Sequence, residues 1–268
     1  MNKIKIGIAG CLGRMGSELV KETLRNPETE FVGGFENPSN INLGKSIGKI
    51  LGLKTDIILT EDPKKIFDKS QVVIDFTTPE SSFINLEIAS EFKVPLVIGT
   101  TGFGDKSKNL IKESSSKIPI VYSENMSVGV NVLINLINSA SKIFKAKEYD
   151  VEISERHHRY KVDAPSGTAI ALGKVVAEAR NDNFNDKKIY NRTSIKEGRK
   201  DGDIGFAVTR AGDIAGDHTV SFIGNNDEIQ LIHKAKNRII FVIGAIKAAI
   251  WIIGKKPGIY SMKNVLGF

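Results

Sequence analysis

The sequence predicts an α/β chain in two parts, a doubly wound parallel sheet followed by an α+β lobe, and three observations predict it. Up to Ser123, short apolar runs alternate with helix-length segments, which is the pattern of βαβ units. A glycine-rich turn, Gly10-Cys11-Leu12-Gly13-Arg14-Met15-Gly16, joins the first apolar run to the first helical pattern. Beyond Val128 the runs become longer and richer in β-branched residues, as in an open sheet with helices beside it.

Lys3 to Ala9 reads as a buried strand, Arg14 to Leu24 as a helix and Glu30 to Glu36 as a second strand. Asp62-Pro63 opens a helix, because proline is tolerated where its missing N–H would be unpaired. Val72 to Phe76 is a strand, Pro79 to Phe92 a helix, Leu96 to Gly99 a strand, Asp105 to Ser116 a helix and Ile120 to Ser123 a strand. A long helical pattern then runs from Val128 to Phe144. Strands follow at Tyr149 to Glu155, Asp203 to Arg210, Thr219 to Gly224 and Glu228 to Ala235, expected as a mostly antiparallel sheet with helices on one side. Ser166 is an N-cap for the helix that continues through Ala169 to Val176. Asp182 to Gly202 is polar and glycine-dotted and reads as a loop or mobile flap. A helix from Ile239 to Ile253, and Ser261 capping Met262 to Leu266, are expected to return to the first part. The domains are therefore placed at 1–126 completed by 239–268, and at 127–238.

At 268 residues and 41% hydrophobic content the chain can bury a core in each part. The first apolar run is far too short for a signal peptide, and Ile239 to Ile253, interrupted by Gly244 and Lys247, is too short for a membrane span. Neither export nor membrane insertion is expected. Cys11 is the single cysteine, which excludes an internal disulfide and a cysteine-based zinc site and fits a reducing cytoplasm. The net charge of +7 is spread among acids without interleaved aromatics, so small anionic ligands explain it better than nucleic acid.

The most informative stretch is Arg156-His157-His158-Arg159-Tyr160-Lys161-Val162-Asp163-Ala164-Pro165-Ser166-Gly167-Thr168. Such a cluster of cationic groups repels itself unless an anion sits in it. The amides of Gly167 and Thr168, unpaired at a helix start, and the helix dipole would favour that anion. The stretch is thus expected to be a carboxylate or phosphate receptor. Adjacent histidines rarely share a metal ion, and with His218 and His233 isolated and read as structural, no metal site is expected. Asp163 is expected to orient the loop through local bonds.

The Gly10 to Gly16 turn lies between a strand and a helix, the context of a phosphate-binding loop, although Leu12 replaces the second glycine of the usual pattern. Glu36, at the end of the second strand and about twenty residues on, can take ribose hydroxyls. Asn37 cannot neutralise a 2′-phosphate, so NADH is expected to serve at least as well as NADPH. Gly99-Thr100-Thr101-Gly102-Phe103 and Ser123-Glu124-Asn125-Met126 follow later strands at the edge where ligands bind in such sheets.

Taken together these motifs, with Asn125 to Asn131, Arg210-Ala211-Gly212-Asp213-Ile214 and His233-Lys234-Ala235, resemble the 4-hydroxy-tetrahydrodipicolinate reductase (dihydrodipicolinate reductase) family over essentially the whole chain. The resemblance implies a Rossmann-type domain completed by the C-terminus and a substrate-binding and oligomerisation domain that builds a homotetramer. It also implies hydride transfer from NADH or NADPH to a small cyclic dicarboxylate in lysine and diaminopimelate biosynthesis. By position, His157 and Lys161 match the catalytic pair, with Lys161 the proton donor and His157 setting its protonation or relaying the proton. His158, Ser166, Gly167, Thr168 and Thr101 match substrate contacts. Gly10, Cys11, Leu12, Gly13, Arg14, Met15, Glu36, Gly99, Thr100, Thr101, Ser123, Glu124, Asn125 and Met126 match cofactor contacts. Asn37 and Ser123-Glu124 depart from the family's usual residues, and Glu124 near the nicotinamide is unexpected. Two other readings stay open: a Rossmann dehydrogenase for another small carboxylate, and a dinucleotide-sensing protein that uses its charge on nucleic acid.

Overall fold

The computed structural model describes residues 2–193 and 195–268, in two compact units: Met1–Val128 with Ile239–Phe268, and Gly129–Arg238. The chain begins β1 (Ile4–Ala9), α1 (Arg14–Arg25), β2 (Thr29–Phe35), α2 (Ile47–Leu51), α3 (Pro63–Phe67), β3 (Val72–Asp75), α4 (Pro79–Phe92), β4 (Leu96–Ile98), α5 (Asp105–Ser114) and β5 (Pro119–Tyr122). It continues with α6 (Val128–Ile143), β6 (Asp150–His157), α7 (Gly167–Arg180), α8 (Phe184–Lys187), β7 (Lys188–Ile189), β8 (Ile204–Arg210), β9 (Gly216–Ile223) and β10 (Glu228–Ala235). The tail is α9 (Ile239–Ile252), β11 (Gly258–Tyr260) and α10 (Met262–Leu266).

In the first unit a 6-stranded sheet has the order β11-β5-β4-β3-β1-β2, with every pairing parallel. Parallel strands are buried on both faces, and successive residues feed two cores. Val72, Ile74, Val97 and Val121 face α1 and α9, whereas Val73, Leu96, Ile98 and Ile120 face the opposite core, with Leu86 and Ala89 of α4 and Ile111 of α5. The carboxyl ends of β1, β3, β4 and β5 therefore deliver their following turns to one edge of the sheet, where the strand order reverses on either side of β1. The helix starts are those that local chemistry predicts. Asp62 accepts the Lys64 N–H with Pro63 in the first turn, and Thr78 accepts that of Ser81 with Pro79 in the first turn.

In the second unit a 5-stranded sheet has the order β10-β9-β6-β8-β7. β6 is antiparallel to β9 but parallel to β8, and β8 is parallel to β7. The sheet is therefore mixed rather than mostly antiparallel, because α7 carries the chain from β6 across to β8 as a βαβ crossover. The segment 182–202 is likewise not pure loop. It contains α8, capped by Asn183, and β7, although Ser194 lies outside the described residues. Leu133 and Ile137 of α6 and Leu172 and Val176 of α7 pack on Val151, Ile153, Val220 and Phe222 of the sheet.

Candidate active site

In the first unit the turn after β1 is built by close backbone approach. Gly10 has φ +61°, a left-handed conformation that glycine adopts freely, and its carbonyl accepts the Gly13 N–H at 3.0 Å. A Cβ on Gly16 would lie 1.9 Å from the Gly10 oxygen, so only glycine lets α1 start this close to the turn. α1 opens at Gly13 without a side-chain cap and without an acid in its first turn, leaving a start suited to an anion. Glu36 accepts the Leu12 N–H at 2.7 Å, so the carboxylate at the end of β2 also braces the turn. Cys11 is buried, and burial together with nearby Glu36 pushes its thiol up to about 12. Cys11 thus presents backbone, not a thiolate, to the turn.

The turns after β3, β4 and β5 share a polar network. Asp75, fully buried, accepts from Thr77, from Asn85 Nδ2 at 2.9 Å and from Thr100 Oγ1 at 3.3 Å. Thr100 is therefore turned inward, whereas Thr101 is exposed. A Cβ on Gly99 would strike the Phe76 ring at 2.2 Å. The Met126 side chain is in the core and its carbonyl lies against Gly244 of α9, while Ser123 and Asn125 are half-buried. Glu124 is exposed near Tyr122, whose hydroxyl is pushed up to about 12 by burial and by that carboxylate.

In the second unit the site grows from the end of β6. Its inward positions alternate, Val151 and Ile153 lying in the core and Glu155 and His157 continuing the same row beyond it. His157 is a strand residue, 8% exposed, and its Nδ1 lies 2.6 Å from Glu155 Oε2. Burial lowers the His157 pKa, only partly opposed by Glu155, so the imidazole is neutral. Burial alone would raise the Glu155 pKa, but hydrogen bonds from Arg210, His157 and the Ser166 amide outweigh it and hold the carboxyl ionised. Ser166 caps α7 by accepting the Ala169 N–H at 3.2 Å.

These positions refine three expectations. Part of the basic stretch is paired within the chain: Lys161 Nζ lies 2.7 Å from Asp163 Oδ1, and Arg156 lies 3.7 Å from Asp217 of β9. The Gly167 amide is not idle either. Lys161 chiefly, and Gly167 in a smaller part, hold the Asp163 carboxyl below its usual range. His218 is not isolated, since β9 places its Nε2 3.2 Å from Ser166 Oγ and its ring 5.2 Å from that of His157. Glu155 and His218 were missed because β6 runs two residues further and β9 starts three residues earlier than the apolar pattern predicts. Carrying the strand alternation through Glu155 to His157 would have found the first. Among the described residues no group of acids, histidines and cysteine is arranged to hold a metal ion, and no helix is long and apolar enough to cross a membrane. His158 is half-buried beside the exposed Tyr160.

A parallel sheet with a glycine turn at its switch point, joined to a unit with a lysine at a helix start, defines an oxidoreductase of the pyridine-nucleotide class. Residues 4–126 match the family model described as Dihydrodipicolinate reductase, N-terminus, and residues 129–266 that described as Dihydrodipicolinate reductase, C-terminus. A 4-hydroxy-tetrahydrodipicolinate reductase of Burkholderia thailandensis is 42% identical over 267 residues, covering 100% of this chain and 99% of its own. One of Burkholderia mallei is 41% identical over the same length. Among solved structures, a dipicolinate-bound dihydrodipicolinate reductase from Paenisporosarcina sp. TG-14 shares the fold, with TM-score 0.75 and 23% identity over 97% of this chain and 98% of that one. The chain belongs to the dihydrodipicolinate reductase family.

Proposed function

We propose that the chain reduces 4-hydroxy-tetrahydrodipicolinate, the hydrated form of dihydrodipicolinate, to tetrahydrodipicolinate in lysine and diaminopimelate biosynthesis, the 4-hydroxyl leaving as water and one hydride and one proton being added. One observation carries the mechanism: the Lys161 ammonium lies 2.7 Å from the carboxylate of Asp163, just ahead of the start of α7. An ammonium that pairs with an internal carboxylate can pair with a substrate carboxylate that displaces it, and charge-assisted bonds are roughly twice as strong as neutral ones. His158, Ser166, Gly167, Thr168 and Thr101 are the proposed substrate contacts.

The dinucleotide fits the first unit, whose Gly10–Gly16 cradle would be filled by a Cβ at Gly16. Gly10 to Met15, Glu36, Gly99 to Thr101 and Ser123 to Met126 are the proposed contacts, with Cys11, Thr100 and Met126 contributing backbone. When bound, the reduced nicotinamide supplies hydride. Lys161 then protonates the enamine-like carbon of the reduced ring, a transfer that needs a donor within about 3 Å. His157, held neutral on Glu155, orients the region and is the partner that relays the proton to Lys161. Residues 1–126 with 239–268 serve as the dinucleotide domain and 127–238 as the substrate domain. Asn37 is exposed and spends its Oδ1 on Ser39, which offers a 2′-phosphate no cation and favours NADH. A cytoplasmic homotetramer completes the proposal, supported by Ile223 and Ile232, exposed on the second sheet at 37% and 52%.

The reading is tested by mixing the chain with NADH and the condensation product of pyruvate and aspartate semialdehyde. Falling nicotinamide absorbance is expected. Oxidation only with another carboxylate, or cofactor binding without turnover, would overturn it.

A further inference from the structure

Neither neighbour of Lys161 is an apolar anchor. Tyr160 is 81% exposed and Val162 is 96% exposed, so hydrophobic burial holds neither residue that flanks the lysine. Yet a proton donor is effective only when its position is fixed to a fraction of an ångström. Something polar must do the fixing.

The last residue of β8 does. In the β6–β8 ladder Arg210 pairs with His157, and its guanidinium reaches back to Glu155 as a bidentate fork, Nη2 to Oε1 at 2.7 Å and Nη1 to Oε2 at 2.8 Å. Of the remaining donors, Nε goes to the Lys161 carbonyl at 3.2 Å and Nη2 to the Asp163 carbonyl, while Nη1 also reaches the Thr209 carbonyl at 2.9 Å. The carboxylate at the centre of this fork also accepts the His157 Nδ1 proton and the Ser166 N–H at 2.9 Å. One ion pair therefore ties together the end of β6, the backbone on both sides of Val162, and the start of α7. The following turn adds two main-chain bonds, Ala211 N to the His157 carbonyl and Arg159 N to that of Gly212.

We infer that Arg210, on its Glu155 seat, is a positioning residue that sets where the Lys161 ammonium stands relative to the α7 start. This rests on the function proposed above. Only arginine fits the task, because a planar fork can satisfy a carboxylate and two carbonyls at once, while the lysine ammonium is a point charge on a flexible stem. A buried ion pair is a weak source of net stability, and its better-attested use is to select one arrangement among several.

The test is kinetic, on the full chain, with Arg210→Lys as the main variant because it keeps the charge opposite Glu155. Its kcat is expected to fall about 10²-fold, with the KM for NADH unchanged within about two-fold. In a Lys161→Ala background the same change should have no further effect on kcat, since a residue that acts through the lysine has nothing left to position. Glu155→Gln is the second variant, and its kcat loss should not add to that of Arg210→Lys. A kcat within about two-fold of the parent, or an equal loss with and without Lys161, would overturn the inference. If the parent chain itself fails to turn over the dicarboxylate, the functional reading falls first, and this inference falls with it.

Discussion

Glu155 and His218 face each other across β6 and β9, and both make stability depend on pH in the same direction. The folded pKa of Glu155 is depressed, so its contribution is present above the ordinary carboxylate range and is lost as pH falls through the folded value. Burial, with His157 beside it, pushes His218 down to about 4, below its usual 6.5, so its contribution is full above that usual value and is lost as pH falls toward 4. By pH 5 the histidine alone should remove roughly 2 kcal/mol. Urea unfolding at pH 7.5 and pH 5 should show this loss, and His218→Leu should flatten the slope; an unchanged slope would assign the pH dependence elsewhere. At Asn37, replacement by arginine should move the kcat/KM ratio toward NADPH, and an unchanged ratio would mean that another residue sets the preference. The site's residue types were legible in sequence, because Lys161, Ser166 and Glu36 each stand in a local motif. Arg210 as the partner of Glu155, and His218 as the partner of Ser166, were not, because those contacts span 55 and 52 residues and depend on strand register.

Among the elements, five strands of the first sheet were readable because parallel strands leave continuous apolar runs, and the helix starts because Asp62, Thr78 and Ser166 are local caps; the sixth strand, β11, has only three residues and was not. The pairing pattern of the second sheet was not, since half-buried strands look alike whether their neighbours run parallel or antiparallel. α8 and β7 were lost in a polar segment with no apolar period. The most demanding element is the turn before α1. Gly16→Ala would set a methyl 1.9 Å from the Gly10 oxygen, and an overpacked contact of this kind costs about 1–3 kcal/mol. Melting and the KM for NADH should both worsen. Gly104→Ala, whose Cβ meets nothing within 4 Å, is the control, and equal effects from the two would remove the steric account.

At the scale of the molecule, the two units carry the two halves of the proposed chemistry: a glycine turn and Glu36 on a parallel sheet, and a lysine with a capped helix start on a mixed one. A planar dicarboxylate such as pyridine-2,6-dicarboxylate should therefore compete with substrate and not with NADH. Indifference to it would contradict an anion seat at α7. The central claim is that Lys161 supplies the proton that completes reduction, and the turnover number of Lys161→Ala at saturating NADH and dicarboxylate tests it most directly. The account predicts a fall of about 10²-fold or more with NADH binding intact; a turnover number close to that of the parent would contradict it.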